Sequence, residues 1–283
     1  METRKAAFSG SWYPESASEC ERQIKGFLTD TGIEKITDRK FKGGIVPHAG
    51  WYFSGAIACN VIQRLIQESL PEVMLIFGMH LHPESPCYIM DQGAWETPFG
   101  DIAIHTDLAR ELAGRFPFQV ETTDRCHPDN TIELQLPFLK YFSKEIQIVP
   151  MGVPPAKIAL DIGRTAAKMA TERGLNTRVL GSTDLTHYGT IYGFTPQGTG
   201  PSAVEWAKNQ NDRRIIDSML DMDPEAVIKQ SRKHQNACCA GAAAAAITAA
   251  RQLGAATGEK LAYASSYDKS PGDSFVGYAG ILF

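Results

Sequence analysis

Apolar runs short enough to be strands recur along this chain, and most are followed by a stretch with helical spacing. Gly43-Gly44-Ile45-Val46-Pro47 predicts a strand that stops at the proline. Residues 54–68 predict a helix, with Ile57, Ala58, Val61, Ile62, Leu65 and Ile66 at the helical period. Val73-Met74-Leu75-Ile76-Phe77-Gly78 is apolar throughout, the pattern of a strand covered on both faces. Helices are predicted over 106–116, 132–141 and 155–174, and strands over 145–151 and 177–182. Residues 209–231 predict one or two helices interrupted near Asp223-Pro224, and 238–253 a helix of small side chains. Strands over 261–266 and 276–283 close the chain. Strand then helix, repeated, predicts an α/β fold: a mostly parallel or mixed central sheet with helices on both faces. No repeat or low-complexity linker divides the sequence, so residues 1–283 are expected to form one domain.

Composition narrows the partners. Hydrophobic residues at 43% and charged residues at 21% are those of an ordinary globular chain, large enough to fold without metal or disulfide. A net charge of −4 argues against non-specific nucleic-acid binding and against a polybasic membrane dock. The charged Met1-Glu2-Thr3-Arg4-Lys5 start precedes too short an apolar stretch for a signal. The most apolar stretch, 238–250, falls short of the roughly 20 residues that span a bilayer, so the expected location is the cytoplasm. Six cysteines, Cys20, Cys59, Cys87, Cys126, Cys238 and Cys239, are irregularly spaced and predict neither a disulfide framework nor a CxxC zinc site.

In sheets of this kind ligands bind beyond the carboxyl ends of the strands. Strand ends here deliver Pro47-His48-Ala49-Gly50, Gly78-Met79-His80-Leu81-His82 and Ser182-Thr183-Asp184-Leu185-Thr186-His187. A single histidine after a strand is commonly just hydrogen-bonded to backbone; three on one sheet edge point to metal or proton chemistry. Two histidines and an anionic ligand, with positions left open, suit a catalytic transition metal, and zinc is chemically compatible. The anion is Asp184 or Cys238, with Cys239 a competitor that spacing does not separate. A thiol opening the alanine-rich helix would have a lowered pKa. Asp184 and His187, three apart, form a candidate acid/base pair in which the carboxylate orients the ring. Asp184 could equally cap the next element, as could Ser182 or Thr183. Asn130 and Glu133 read either as a helix cap with its capping box or as pocket residues. Trp12, with Tyr13 and Pro14, reads as a pocket wall or an anchor for the terminus. GxGxxG, Walker, HExxH and GxSxG motifs are absent from the sequence, so no nucleotide cofactor is expected.

Gly10-Ser11-Trp12-Tyr13-Pro14, Pro47-His48-Ala49-Gly50, Glu96-Thr97-Pro98-Phe99-Gly100, the 132–138 segment Ile-Glu-Leu-Gln-Leu-Pro-Phe, Asp184-Leu185-Thr186-His187-Tyr188-Gly189 and Gly272-Asp273-Ser274-Phe275-Val276-Gly277-Tyr278, in this order, resemble the Memo family. Its prokaryotic members are called AmmeMemoRadiSam system protein B. The resemblance implies the fold of LigB-type class III extradiol dioxygenases, which cleave catechols with non-haem iron. It implies His48, His80 and Cys238 as metal ligands, with iron or copper as the ion, and Asp184 and His187 as the polar pair beside it. Leu81 stands where the family has a histidine, leaving His80 or His82 as the ligand; Asn130 replaces another histidine; Cys238-Cys239-Ala240-Gly241-Ala242 replaces Cys-Gly-x-x-Pro. Two functions follow: redox or oxygen chemistry on a small substrate, or a scaffold that captures a peptide and works beside a radical-SAM enzyme and an AMMECR-type protein. Zinc hydrolysis with the same ligands is a third.

Overall fold

The computed structural model describes residues 2–29, 40–67 and 69–283. A nine-stranded mixed sheet forms the centre. Its core is four parallel strands side by side: Gly43–Val46, Thr177–Ser182, Val73–Gly78 and Gln147–Gly152. The first three of these are buried at every position, and Val73–Gly78 is apolar throughout, as a strand covered on both faces requires. Antiparallel strands flank this core. Phe275–Leu282 pairs with Gly43–Val46 on one side, and Cys87–Met90 pairs with Gln147–Gly152 on the other. Glu259–Ser265 and His187–Tyr188 add to Phe275–Leu282, and Phe118–Glu121 adds to Cys87–Met90.

Adjacent glycines show that helices cover both faces. A side chain at Gly43 would meet Ala250 of helix Ala240–Gln252, whereas one at Gly44 would meet Val61 of helix Trp51–Gln67. Neighbouring strand residues point to opposite faces, so these two helices lie on opposite sides. The alanine-rich helix sits very close to the sheet. A Cβ at Gly181 would lie 2.7 Å from Ala246 Cβ and 2.9 Å from the Ala242 carbonyl. Helix Lys157–Glu172 packs against it as closely, with Gly163 facing the Ala245 carbonyl.

The predicted strands 73–78 and 177–182 match to the residue. Strand 43–47 ends at Val46, and the helix drawn at 54–68 begins three residues earlier, at Trp51, and runs to Gln67. Its predicted end, Glu68, lies outside the described residues, as does Met1. The helix drawn over 132–141 is two short ones, Asn130–Glu133 and Leu136–Phe142, the second with proline in its first turn, where no amide is needed. Helix 155–174 shortens to Lys157–Glu172, and helix 238–253 to Ala240–Gln252. The 209–231 segment comprises a π-helical turn (Ala207–Asn211) and helices Asp212–Leu220 and Pro224–His234, broken at Asp223 as expected. A small sheet of Thr3–Arg4, Ala94–Trp95 and Ile102–Ala103 was not predicted, its strands being too short to show a period.

The π-helical turn brings consecutive residues, Asn211 and Asp212, fully inside. Asp212 Oδ1 accepts bonds from the Thr186 amide (3.0 Å) and hydroxyl, and Oδ2 accepts one from Tyr263 (2.8 Å). This pins the backbone just before His187. Burial pushes the Asp212 carboxyl up to about 6, although the bonds from Thr186 and Tyr263 pull it down.

Two predictions follow from this packing. Gly181→Ala will lower stability by about 1–3 kcal/mol, read by denaturant unfolding, because the added methyl overpacks against the helix. Asp212, whose folded pKa lies above its unfolded value, contributes stability that is complete below about pH 4 and lost as pH rises through about 6. The parent will therefore lose about 2–3 kcal/mol over this window relative to Asp212→Asn, measured as the difference between the two unfolding free energies against pH. A pH-independent difference would contradict this assignment.

Candidate metal centre

Because the core strands are parallel, Val46, Ser182, Gly78 and Gly152 end on one sheet edge, with Val46 paired to Ser182 and Gly78 to Gly152. His48 follows the first end, His80 the third, and Asp184 the second. Cys238 joins them from above, in the turn before helix Ala240–Gln252.

His48 is 2% exposed, and all its polar atoms are committed. Its amide donates to Asp184 Oδ1 at 2.7 Å, and Nδ1 lies 2.9 Å from Ser182 Oγ. Nε2 lies 3.2 Å from His80 Nε2 and 3.3 Å from Cys238 Sγ. The Cys238 backbone is bonded to the same strand end: its amide donates to the Asp184 carbonyl at 3.2 Å, and its sulfur accepts from the Asp184 amide at 3.3 Å. Ligand atoms of His48, His80, Cys238 and Cys239 all lie within 4.8 Å of one another. Among the described residues no other such group of three or more converges.

His80, not His82, belongs to this cluster. Met79 adopts a left-handed backbone at φ 71°, and its amide donates to Thr131 Oγ1 at 2.7 Å. A side chain on Gly78 would collide with that hydroxyl. The chain thus turns sharply as it leaves the strand and carries His80 to His48, a strained conformation of the kind found at functional sites. His82 is exposed in a turn where its amide donates to Ser85 Oγ.

Charges in the cluster offset one another. Burial alone would lower the His48 pKa, but Asp184 and Cys238 outweigh it and bring it to about 9. Burial opposes the Cys238 thiolate, yet the Cys239 thiol, His48 and His80 together hold it well below the usual thiol range. Cys239 goes the other way, raised by burial and by its negative neighbour. Burial also raises Asp184, with His48 opposing and Cys238 reinforcing.

The cluster opens into a cleft of about 520 Å³ lined by Trp12, Tyr52, Phe53, Tyr192 and Tyr278 together with Asn130, Asp184 and His187. Size and lining are those of a small-molecule site. A larger hollow of about 810 Å³ lies at the far end of helix Ala240–Gln252, and holds no histidine or cysteine.

Several expected roles change. Asp184 and His187 interact through charge and not through a hydrogen bond: His187 Nδ1 donates to the Leu185 carbonyl at 3.1 Å, and the ring stands edge-on to Tyr192. Nor does Asp184 cap a helix; its carboxylate serves the His48 amide. The cap of Asn130–Glu133 is Asp129, which accepts from the Ile132 amide at 2.9 Å. Asn130 instead faces the cleft and donates to the His48 carbonyl at 3.1 Å. Glu133 lies 1% exposed outside the cleft and accepts from the Ala7 and Phe8 amides and the Tyr13 hydroxyl, latching the N-terminal segment. Trp12 does both expected jobs: it lines the cleft, and its carbonyl accepts the Trp51 amide. Ser182, read from the sequence only as part of the strand-end polar run and as a possible cap, supports the His48 ring instead. Thr131, Tyr192 and Tyr278 are site residues that nothing local in the sequence marks.

The pattern of the Memo-like protein family matches residues 4–282. A MEMO1 family protein of Thermococcus kodakarensis is 34% identical, over 99% of both chains. One from Pyrococcus horikoshii is 33% identical, over 99% of this chain and 98% of its own. Among solved structures, an uncharacterized protein from Escherichia coli K12 aligns with TM-score 0.51 at 9% identity, covering 86% of this chain and 100% of that one, a likeness in fold alone. The fold, the full-length family match and these relatives agree: this chain belongs to the Memo family.

Proposed function

We propose that this protein holds one metal ion on His48, His80 and Cys238 and uses it for redox or oxygen chemistry on a small, flat substrate. The observation that carries this reading is the donor spacing of 3.2 and 3.3 Å. An ion bound tetrahedrally at about 2.0–2.3 Å needs donors about 3.3–3.8 Å apart, so the residues fit the ion with little movement. Ser182 fits as well: by accepting from Nδ1 it would turn the His48 Nε2 lone pair toward the ion, the usual outer partner of a ligating histidine. Two imidazoles and a thiolate suit iron or copper with positions left open, and zinc less distinctively. Such an ion supplies Lewis acidity and one-electron chemistry.

The remaining work falls to the chain's own groups. Trp12, Tyr52, Phe53 and Tyr278 form apolar walls for an aromatic or otherwise planar molecule. His187, with Nδ1–H committed to Leu185, leaves Nε2 as the acceptor for a substrate proton, and Tyr192 limits its rotation. Asn130 and Asp184 fix the His48 backbone from two sides.

A second reading rests on the rim. Tyr52 at 66%, Tyr192 at 45% and Trp12 at 41% exposure leave apolar side chains in water around the opening. Such a rim suits capture of a peptide or of a partner protein, with radical-SAM and AMMECR-type proteins the proposed companions.

Metal content of protein purified without oxygen tests the first reading. One equivalent of iron or copper is expected in the parent, and at least a tenfold loss of affinity in His48→Ala and Cys238→Ser with thermal unfolding retained. Stoichiometric zinc would redirect the reading to hydrolysis. No binding after reconstitution would overturn it and leave the rim as the functional surface.

A further inference from the structure

We infer that Cys239 is a second sulfur ligand of the ion held by His48, His80 and Cys238, making the centre an N2S2 site for a thiophilic ion. This rests on the metal reading above and goes beyond it in ligand number and in the class of ion.

The four ligand atoms already lie within 4.8 Å of one another. In a tetrahedral site the donors are separated by about 3.3–3.8 Å, so the widest pair must close by roughly 1–1.5 Å, within reach of small side-chain rotations. The Cys239 backbone is fixed for this role. Its amide donates to Thr183 Oγ1 at 3.0 Å, and its carbonyl accepts the Ala243 amide at 3.2 Å as the cap of the alanine helix. Only the side-chain torsion is left to adjust. The contrast with the other buried thiols is informative. Cys20, Cys59 and Cys87 are equally buried, yet none belongs to a group of convergent metal donors, whereas Cys239 does.

The chemistry balances simply. The Cys239 S–H bond is exchanged for a sulfur–metal bond, the Cys238 thiolate and His48 Nε2 bind through lone pairs, the protons of Cys239 and of the His48 ring leave to solvent, and no electron moves. Two thiolates cancel the charge of a divalent ion in a site where an uncompensated charge would be costly. Two sulfurs also shift preference away from ions that favour oxygen ligands and toward copper, one of the two ions of the reading above.

The test is cobalt(II) loaded into the full-length protein without oxygen, read by sulfur-to-cobalt charge-transfer absorption and by X-ray absorption. The parent is expected to show two sulfur and two nitrogen neighbours. Cys239→Ser should show one sulfur and about half the charge-transfer intensity. Thermal melting of Cys239→Ser and Cys239→Ala checks that they fold, and the sulfur count of the parent decides even if they do not. One sulfur in the parent, or an unchanged spectrum in Cys239→Ser, would overturn the inference while leaving the three-ligand site standing. A parent that takes up neither cobalt nor zinc would overturn the metal reading and this inference together.

Discussion

The approach of an alanine-lined helix to a glycine-bearing sheet controls where the cluster forms. Gly43 and Gly181 leave no side chain between strand and helix, and Ala242, Ala246 and Ala250 present only methyl groups. Helix Ala240–Gln252 therefore sits low enough for the turn before it to bond the Asp184 amide and carbonyl. That pair of hydrogen bonds sets Cys238 beside His48. Larger residues at this contact would lift the helix and carry the sulfur out of reach, though no residue of the cluster would have changed. Close packing transmits such shifts because protein interiors have little free volume to absorb them.

Around the sulfur, each group compensates another. Asp184 stabilises charge on His48, and His48 stabilises the thiolate. Burying any one of the three alone would be unfavourable; together they are tolerated, and they bring the Cys238 sulfur and the His48 imidazole together on one sheet edge. His187 stands apart from this group. It is supported from below by Asp212 through Thr186, so its position depends on a buried carboxylate that never reaches the cleft. The cleft therefore combines a cluster on three strand ends with the His187 ring on a separate, pinned strand.

Legibility in the sequence followed the strength of each local signal. Strand 73–78 is legible to the residue because both of its faces are covered, which leaves an unbroken apolar run, and 177–182 is legible from its Val179-Leu180 centre followed by Gly181. The break within 132–141 was missed because the apolar period continues across Leu134 and Gln135 while the backbone does not. Glu133 looked like a capping residue by spacing, but its partners, Ala7, Phe8 and Tyr13, lie more than a hundred residues away. The two histidines flanking Leu81 are equivalent in sequence. The left-handed turn at Met79, held by Thr131, separates them.

From the order of residues alone came the α/β class, the strand ends as the place for chemistry, and the set of histidines, aspartate and cysteines that could act there. These depend on local periodicity and on residue type, both of which a chain carries with it. Which histidine joins the cluster, which carboxylate caps a helix and which orients a ligand, and how close the two cysteines come to the imidazoles were decided by tertiary structure. Those outcomes depend on distances between segments far apart in the chain, and such distances are set by how helices and strands pack, not by their neighbours in sequence.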